Sequence, residues 1–279
     1  MVSLLLDCHE LAARLATDEP PLVLDVRWTL GGPSGAADFA KGHIPGAHFV
    51  DLNSELSAPP GPGRHPLPDA AAFGAAMRRH GVARSRLVVA YDAGTATSAA
   101  RAWWLLRYFG HPNTALLDGG YASWTAAGLP IASGDDEDPE AGDFDAVPGG
   151  MPLLDADGAA AMARDGMLID ARAPERFRGE VEPVDRVAGH IPGAHSFPAQ
   201  QTEALDGRFL PPAELRARYA AAGVAPGQPV AVYCGSGVVA TEGVFAMGLA
   251  GIDAALYAGS WSDWITDPSR PIEVGKSTG

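Results

Sequence analysis

The sequence predicts an α/β protein made of two tandem domains, each a small, mainly parallel sheet flanked by helices. Three observations support this fold class. Short apolar runs alternate with helix-like segments in both halves of the chain, which is the pattern of βαβ units. Four motifs of the first half recur in the second half in the same order, and an acidic stretch rich in proline and glycine separates the halves. A duplicated domain explains all three observations.

Each half contains three clear strands and three clear helices. In the first half the expected strands are 22–26, 87–91 and 115–117, and the expected helices are 69–80, 97–108 and 121–127. In the second half the expected strands are 167–170, 230–233 and 254–257, and the expected helices are 212–222, 238–250 and 260–265. In parallel sheets of this kind, the ligand site lies beyond the carboxyl ends of the strands.

The recurring motifs define the boundaries of the duplication. Residues 25–27, 42–48, 88–92 and 117–124 match residues 170–172, 189–195, 230–234 and 257–264, respectively. The second pair is identical letter for letter, and in the third pair Asp92 stands where Cys234 stands. We therefore expect a first domain over residues 1–133, an acidic linker over 134–150 and a second domain over 151–279.

Composition limits the class of partner. With 279 residues, of which 47% are hydrophobic, the chain is long enough for two cores. The net charge of −14 argues against nucleic acid and against an anionic membrane surface, since both require clustered Lys and Arg. Seven acidic residues and no basic one lie between Gly134 and Gly150, which indicates a solvated linker. Because we find neither a signal sequence nor a membrane-length apolar run, we expect a cytoplasmic protein, and two fused copies favour a monomer.

Cys234 is the candidate nucleophile. It ends a β-rich apolar run and precedes a Gly-Ser-Gly loop and a predicted helix. The glycines let the loop curl around the sulfur, and the N–H groups at the start of the helix stabilise a thiolate or a bound anion. Cys8 has no such surroundings, and we assign it no role. The chain has only two cysteines and its histidines lack metal-ligand spacing, so we expect neither a disulfide framework nor a metal site.

These motifs together resemble the tandem-rhodanese sulfurtransferases. The resemblance rests on Cys-Gly-Ser-Gly-Val-x-Ala at 234–240, on the two Gly-His-Ile-Pro-Gly-Ala blocks, on Asp-Val-Arg-Trp at 25–28 and on Leu-Asp-Gly-Gly…Trp at 117–124. It covers nearly the whole chain. In that family the second domain is catalytic and the first has lost its cysteine, which agrees with Asp92. The resemblance implies that the first domain is a structural partner.

The resemblance also implies covalent sulfur transfer. A Cys234 thiolate attacks the sulfane-type sulfur of a donor and holds it as a persulfide until a thiol, cyanide or a thioredoxin-like protein accepts it. Loop amides stabilise the persulfide, so no metal or organic cofactor is expected. The loop residues implied in this role are Gly235, Ser236, Gly237, Val238, Val239 and Ala240.

The charge of the loop bears on the donor. Family members that use thiosulfate carry two cations in the loop, whereas those that use 3-mercaptopyruvate carry Gly-Ser-Gly, as this chain does. The uncharged loop therefore favours 3-mercaptopyruvate, with thiosulfate as the alternative donor. Val239 replaces the usual threonine, which removes a hydroxyl that would donate to the persulfide.

Residues outside the loop follow from the same resemblance. Two family arginines that bind the donor carboxylate correspond here to Arg176 and Arg186. Arg186 departs from the pattern, because Val184 and Asp185 separate it from the Glu-Pro pair it normally follows. A surface ion pair is the alternative role for both arginines.

Histidines complete the set of candidates. Some family proposals pair the loop serine with a histidine and an acid, and this histidine would be His43. A structural role in a tight turn is the alternative for His43 and is our assignment for His190.

Two rival functions can be compared with these expectations. A cysteine-based phosphatase also places a thiolate in an anion-binding loop, but it requires Arg at 240, where this chain has Ala240. A non-catalytic sulfur carrier or sensor, persulfidated at Cys234 without a donor pocket, remains open. Turnover with a small donor separates this rival from an enzyme.

Overall fold

The computed structural model describes residues 5–134 and 139–276, which fold as two compact units. The first unit consists of the described residues of Met1–Ala58 and Leu67–Met151 together with Leu205–Phe209. The second consists of Pro59–Pro66, Pro152–Ala204 and the described residues from Leu210 onward. Each half of the sequence therefore contributes one short segment to the unit formed mainly by the other half.

The first unit is a five-stranded parallel sheet with the strand order β1-β5-β4-β2-β3. Its elements are β1 (Leu5–Leu6), α1 (Cys8–Leu15), β2 (Leu22–Asp25), α2 (Ala36–Lys41), β3 (Ala47–Phe49), α3 (Ala70–Arg79), β4 (Val88–Tyr91), α4 (Thr97–Tyr108), β5 (Thr114–Leu117) and α5 (Gly120–Ala126). The central strands β2, β4 and β5 are buried along their whole length, which explains their continuous apolar sequences.

The second unit repeats this architecture with the order β6-β10-β9-β7-β8, again all parallel. Its elements are β6 (Leu153–Leu154), α6 (Ala156–Asp165), β7 (Met167–Asp170), α7 (Pro174–Phe177), β8 (His195–Ser196), a 3-10 helix (Ala199–Thr202), α8 (Pro212–Ala221), β9 (Val230–Tyr233), α9 (Val239–Leu249), β10 (Ala254–Tyr257) and α10 (Ser260–Trp264). The predicted fold class of two tandem α/β domains is confirmed.

The strands and helices predicted from apolar runs are all present, whereas several short elements were not predicted. The edge strands β1 and β6 have two residues each, too few to show an alternating pattern. Helix α1 begins at a capping box, in which Asp7 accepts from the backbone of Glu10 and the Glu10 side chain accepts from the Asp7 backbone. The longest helix, α4, has 12 residues, and no described helix is long and apolar enough to cross a membrane.

A buried ion pair explains why the Asp-x-Arg and Gly-His-Ile-Pro-Gly motifs occur together in both units. In the second unit, Nη2 of Arg172 donates to Oδ2 of Asp170 at 2.6 Å and to the carbonyl of Gly189 at 2.7 Å. In the first unit, Arg27 donates to the aspartate two residues before it at 2.6 Å and to the Gly42 carbonyl at 2.8 Å. Each arginine therefore ties the end of a central strand to the loop that leads to the edge strand.

The histidines of these motifs occupy equivalent buried positions. In the first unit, Nδ1 of His43 lies 2.8 Å from the carbonyl of Phe39, and the two rings stack at 3.8 Å. In the second unit, Nδ1 of His190 lies 2.7 Å from the carbonyl of Phe177, and these rings stack at 3.7 Å. The structure thus gives His190 the structural role expected from its tight turn.

The acidic segment predicted as a solvated linker is attached to the first unit over its described part. Residues 135–138 of this segment lie outside the described residues. From residue 139 to 150 most side chains are exposed, but Phe144 is 2% exposed and contacts Phe73 edge to face. Backbone N–H groups donate to the first unit as well, including that of Val147 to the Phe109 carbonyl at 2.9 Å. One buried ring and several backbone hydrogen bonds therefore fix the path of this acidic run.

Candidate active site

Cys234 follows β9 directly and lies at the carboxyl end of the sheet, where ligand sites of parallel sheets occur. The residue is 2% exposed. Its Sγ accepts a hydrogen bond from the N–H of Gly237 at 3.2 Å, and its own N–H donates to Oγ of Ser260 at 3.0 Å. The same Ser260 oxygen lies 4.0 Å from the sulfur. Groups from two different loops therefore fix the thiol.

The loop after Cys234 requires a glycine at one position. Gly237 has a φ of +77°, and a Cβ there would lie 2.2 Å from the carbonyl oxygen of Ala258. On the other side, the first N–H groups of α10 bind loop carbonyls: Trp261 donates to Cys234 and Ser262 to Gly235, both at 2.9 Å. These bonds hold the loop in the conformation in which the Gly237 N–H donates to the sulfur.

The loop serine is paired with a histidine that the sequence analysis did not select. Oγ of Ser236 lies 2.7 Å from Nδ1 of His65, and both side chains are buried. His65 belongs to Pro59–Pro66, the segment from the first half of the chain that is part of the second unit. His43, which the family resemblance offered for this role beside a structural alternative, is buried in the first unit against Phe39. The hydrogen bond that the structure shows for Ser236 is therefore to His65.

Two guanidinium groups lie over the Cys234 loop. A methyl group placed on Gly235 would lie 2.8 Å from Nη2 of Arg64 and 3.6 Å from both Nη atoms of Arg176. Arg176, at the end of α7, was predicted as a site residue. Arg64 was not, because it precedes His65 in a segment without periodicity or a recognisable motif.

Carboxylates hold Arg176 in place. Glu182 accepts from Nη2 of Arg176 at 2.8 Å and from Nε at 3.1 Å, which is a bidentate pair, and Asp185 accepts from Nη2 at 3.1 Å. Burial alone would raise the pKa of Glu182, but the hydrogen bond from Arg176 lowers it below its usual value. Burial raises the pKa of Asp185, and the negative charge of Glu182 adds to this effect against the opposing charges of Arg64 and Arg176.

The guanidinium of Arg186 binds a backbone carbonyl. Its Nη2 donates to the carbonyl oxygen of Ile265, just after α10, at 2.5 Å.

Val239, the other departure from the family pattern, is the first residue of α9, and Ala240 after it is fully buried. The structure therefore brings together Cys234, its loop and Arg176, and adds Arg64 and His65.

The matching loop of the first unit shows how such a loop binds an anion. Asp92, at the position of Cys234, is 3% exposed. Its carboxylate accepts from the backbone N–H groups of Gly94, Ala96 and Ser98 at 3.0 Å each and from that of Ala99 at 3.3 Å, and the Ser98 hydroxyl lies at 3.2 Å. Burial raises the pKa of this carboxyl, although the N–H groups act to lower it. The donors of this loop converge on one carboxyl group.

A cavity of about 660 Å³ lies at the other end of the second sheet. Its lining includes Pro229 and Asp253, which immediately precede β9 and β10. Parallel sheets carry their ligand sites at the carboxyl ends of the strands, so we do not assign this cavity to the chemistry of Cys234. Among the residues that the structure describes, no cluster of His, Cys, Asp and Glu is suited to a metal ion.

Comparison with known proteins identifies the family. A family model described as the rhodanese-like domain matches residues 7–127 and 155–267, which together make up most of the chain. The chain belongs to this family and contains two copies of its domain. Each match spans four of the five strands of one sheet and its helices, and the short edge strands β1 and β6 lie just before the matched residues.

Similar proteins carry the names of sulfurtransferases. The chain is 49% identical to a probable 3-mercaptopyruvate sulfurtransferase of Pseudomonas aeruginosa, over 97% of this chain and 98% of that protein. It is 45% identical to the putative thiosulfate sulfurtransferase SseB of Mycobacterium tuberculosis, over 97% of both chains. Among solved structures, that of SseA from Escherichia coli, described as a 3-mercaptopyruvate sulfotransferase, matches with a TM-score of 0.84 at 32% identity, over 93% of this chain and 99% of that one. The two named donors are those considered above.

Ser260 provides a test of how the thiol is positioned. Its φ of +56° lies in the left-handed region, and its counterpart in the first unit is Gly120 with a φ of +52°. Ser260 therefore adopts a backbone conformation suited to glycine, while its hydroxyl contacts Cys234. We expect S260G and S260A to lower kcat/KM about tenfold each, because both lose a buried hydrogen bond at the nucleophile.

The two variants should differ in stability. S260G relieves the left-handed strain and S260A does not, so we expect S260G to be more stable by about 1 kcal/mol in urea denaturation. If S260G keeps the kcat/KM of the wild-type protein, the Ser260 hydroxyl does not act on Cys234.

Proposed function

We propose that the protein is a sulfurtransferase that moves a sulfane-type sulfur from 3-mercaptopyruvate to a thiol or cyanide through a persulfide on Cys234. The observation that carries this proposal is the arrangement around the sulfur. The thiol is fixed at the carboxyl end of β9 by Gly237 and Ser260, with cationic groups over the same loop. A nucleophile, an anion-binding loop and a cationic donor site are the parts that this reaction requires.

In the first half-reaction, the Cys234 thiolate attacks the sulfur of 3-mercaptopyruvate. A sulfur–sulfur bond forms, the carbon–sulfur bond breaks, and its electron pair passes to pyruvate as the enolate. The proton of the donor thiol is transferred to the enolate carbon, so that pyruvate leaves and Cys234 holds a persulfide anion. Arg176 is suited to bind the donor carboxylate, because its guanidinium lies over Gly235.

The Ser236–His65 pair is suited to assist the departure of pyruvate. Negative charge develops on the ketone oxygen as the carbon–sulfur bond breaks, and a hydroxyl that donates to this oxygen stabilises the charge. Ser236 is two residues from the nucleophile, and His65 at 2.7 Å can accept or return its proton. In this proposal the pair stabilises the enolate by a hydrogen bond, and no net proton leaves it.

The loop amides then stabilise the persulfide anion. The offset between the two loops is 142 residues, from Asp92 to Cys234. By sequence position, the N–H groups that bind the Asp92 carboxylate correspond to those of Ser236, Val238, Ala240 and Thr241. The two loops differ in backbone conformation, since Ala96 has a φ of +53° and Val238 one of −84°, and the Thr241 N–H donates to the Val238 carbonyl at 3.1 Å. We therefore assign the persulfide to the N–H groups of Ser236, Val238 and Ala240. In this proposal they bind the outer sulfur together with the N–H of Gly237, while Val239 begins the helix whose dipole adds positive potential.

In the second half-reaction, a nucleophile attacks the outer sulfur. With cyanide, thiocyanate leaves and the Cys234 thiolate is restored. With a thiol, the products are the persulfide of that thiol and the Cys234 thiolate. A thioredoxin-like protein is a further candidate acceptor. The reaction requires Cys234 as a free thiol, and this supports a reducing, cytoplasmic setting for a protein that we propose to act as a monomer.

Cys234 supplies the direct test of the mechanism. We expect C234S to lower kcat/KM at least a hundredfold with either donor, a loss of about 2.7 kcal/mol in transition-state stabilisation. C8S serves as the control, because Cys8 is also buried but lies on α1 of the first unit. Mass spectrometry after donor addition should find one added sulfur atom on wild type and C8S and none on C234S. A sulfur-loaded C234S protein would contradict the proposal, and persulfide without turnover would favour the carrier alternative.

The Ser236–His65 pair predicts a coupled effect. We expect S236A and H65Q each to lower kcat with 3-mercaptopyruvate about a hundredfold, and the double variant to lose no more than either single one, because the two groups act as a unit. With thiosulfate the effect should be much smaller, since sulfite leaves without the formation of an enolate. Additive losses, or equal losses with both donors, would assign the pair a structural role instead.

The choice of donor follows from the charge of the site. The loop itself is uncharged, and the two arginines over it are balanced by Glu182 and Asp185. A site with little net charge suits a single carboxylate better than a dianionic donor. We therefore expect a higher kcat/KM for 3-mercaptopyruvate than for thiosulfate in steady-state kinetics. A tenfold preference for thiosulfate, about 1.4 kcal/mol, would reverse the assignment.

A further inference from the structure

Arg64 reaches the Cys234 loop from a segment that is fixed to the same unit. Its backbone N–H donates to Oγ of Ser262 at 3.1 Å, and a Cβ on the preceding Gly63 would lie 3.3 Å from the carbonyl oxygen of Gly259. The turn between β10 and α10 thus positions the segment. From there the Arg64 guanidinium extends to Gly235, next to the nucleophile.

Asp185 lies between the two guanidiniums of the site. Its Oδ1 pairs with Nη1 of Arg64, and its Oδ2 pairs with Nη2 of Arg176 at 3.1 Å. Each carboxylate oxygen is therefore bound by a different arginine, and the Asp185 side chain is only 5% exposed. A small carboxylic acid would be bound by two arginines in the same way.

One donor of Arg64 remains unused. Its Nε is buried and has no hydrogen-bond partner among the residues that the structure describes. A buried donor without an acceptor costs free energy that a ligand with an oxygen at this point would recover. The Arg64 side chain as a whole is 26% exposed, so a ligand can reach it from solvent.

We propose that Arg64 is a donor-binding residue of this site and that Asp185 is an internal carboxylate, which the carboxylate of the donor displaces from Arg64 and Arg176. The inference rests on the proposed sulfurtransferase function and names the residues that set its donor affinity and selectivity. Arg64 then fills the place for which the sequence suggested Arg186, whose guanidinium is bound to the Ile265 carbonyl.

The ion pairs also make Asp185 a determinant of donor charge. Arg64 and Arg176 contribute two positive charges, and Glu182 and Asp185 contribute two negative ones, so the four groups are neutral together. Removal of the Asp185 charge leaves one net positive charge next to Cys234. A donor with two negative charges gains more affinity from this change than a donor with one.

Variants of Arg64 test the first half of the inference. We expect R64Q to raise the KM for 3-mercaptopyruvate at least tenfold, with a smaller change in the rate at which preformed persulfide reacts with cyanide. R178Q is the matched control, because Arg178 pairs with Glu180 at the surface of the same unit. R64K keeps the charge without the planar guanidinium and should lie between wild type and R64Q. A larger rise in KM for R186Q than for R64Q would overturn the assignment.

Variants of Asp185 test the second half. We expect D185N to lower the KM for 3-mercaptopyruvate and to raise the kcat/KM ratio of thiosulfate to 3-mercaptopyruvate at least fivefold, whereas E180Q leaves both unchanged. A higher KM in D185N would show that Asp185 supports the arginines and does not compete with the donor, and would overturn this half.

Single-turnover persulfide formation on the wild-type protein distinguishes a failure of the proposed function from a failure of the role proposed for Arg64. If neither donor loads Cys234, the proposed function fails. If wild type loads and R64Q binds and reacts as R178Q does, only the role of Arg64 fails. Circular dichroism and urea denaturation of each variant identify any loss of KM or kcat that follows from misfolding.

Discussion

The site depends on one constraint: backbone N–H groups converge on the residue that follows a central strand. In the first unit these groups surround the Asp92 carboxylate with donors at 3.0–3.3 Å. In the second unit Cys234 occupies the equivalent position in a loop of different backbone conformation, and its sulfur accepts from Gly237. A loop built in this way favours a negative charge at one point, whether the charge belongs to an aspartate or to a persulfide.

The duplication separates scaffold from chemistry within a single chain. The motifs that occur in both units form buried contacts that any copy needs: Arg27 and Arg172 bind glycine carbonyls, and His43 and His190 stack on phenylalanines. The groups proposed for chemistry occur in one unit only. Ser260 illustrates the difference, because it adopts a conformation that Gly120 adopts without strain in the other unit.

Local patterns in the sequence were sufficient to predict the fold class and the nucleophile. These patterns are the continuous apolar strands, the repeat and the strand-to-helix turn at Cys234. His65 and Arg64 could not be predicted, because their positions depend on which unit the segment 59–66 joins, and this is a matter of tertiary contacts. Arg186 is near Arg176 in sequence, yet its guanidinium is bound by the carbonyl that follows α10. Phe144 shows the same limit in the acidic segment, where composition indicated solvent and one ring attached the chain to a core.

The charged residues of the second unit form a chain of alternating sign that runs from the core to the loop: Asp170, Arg172, Glu182, Arg176, Asp185 and Arg64. The three inner side chains are 0–4% exposed, Arg176 is 17% and Arg64 26% exposed, and Asp185 between these two arginines is 5% exposed. The inner pairs are too deeply buried to separate, since an unpaired charge there would cost several kcal/mol. Exchange of one carboxylate for another is therefore assigned to Asp185, which lies between the two most exposed groups of the chain, Arg176 and Arg64, and whose pKa is raised by burial. A donor that brings its own carboxylate to these arginines can replace Asp185 without leaving either arginine unpaired, and this makes the mouth of the site selective for carboxylic acids.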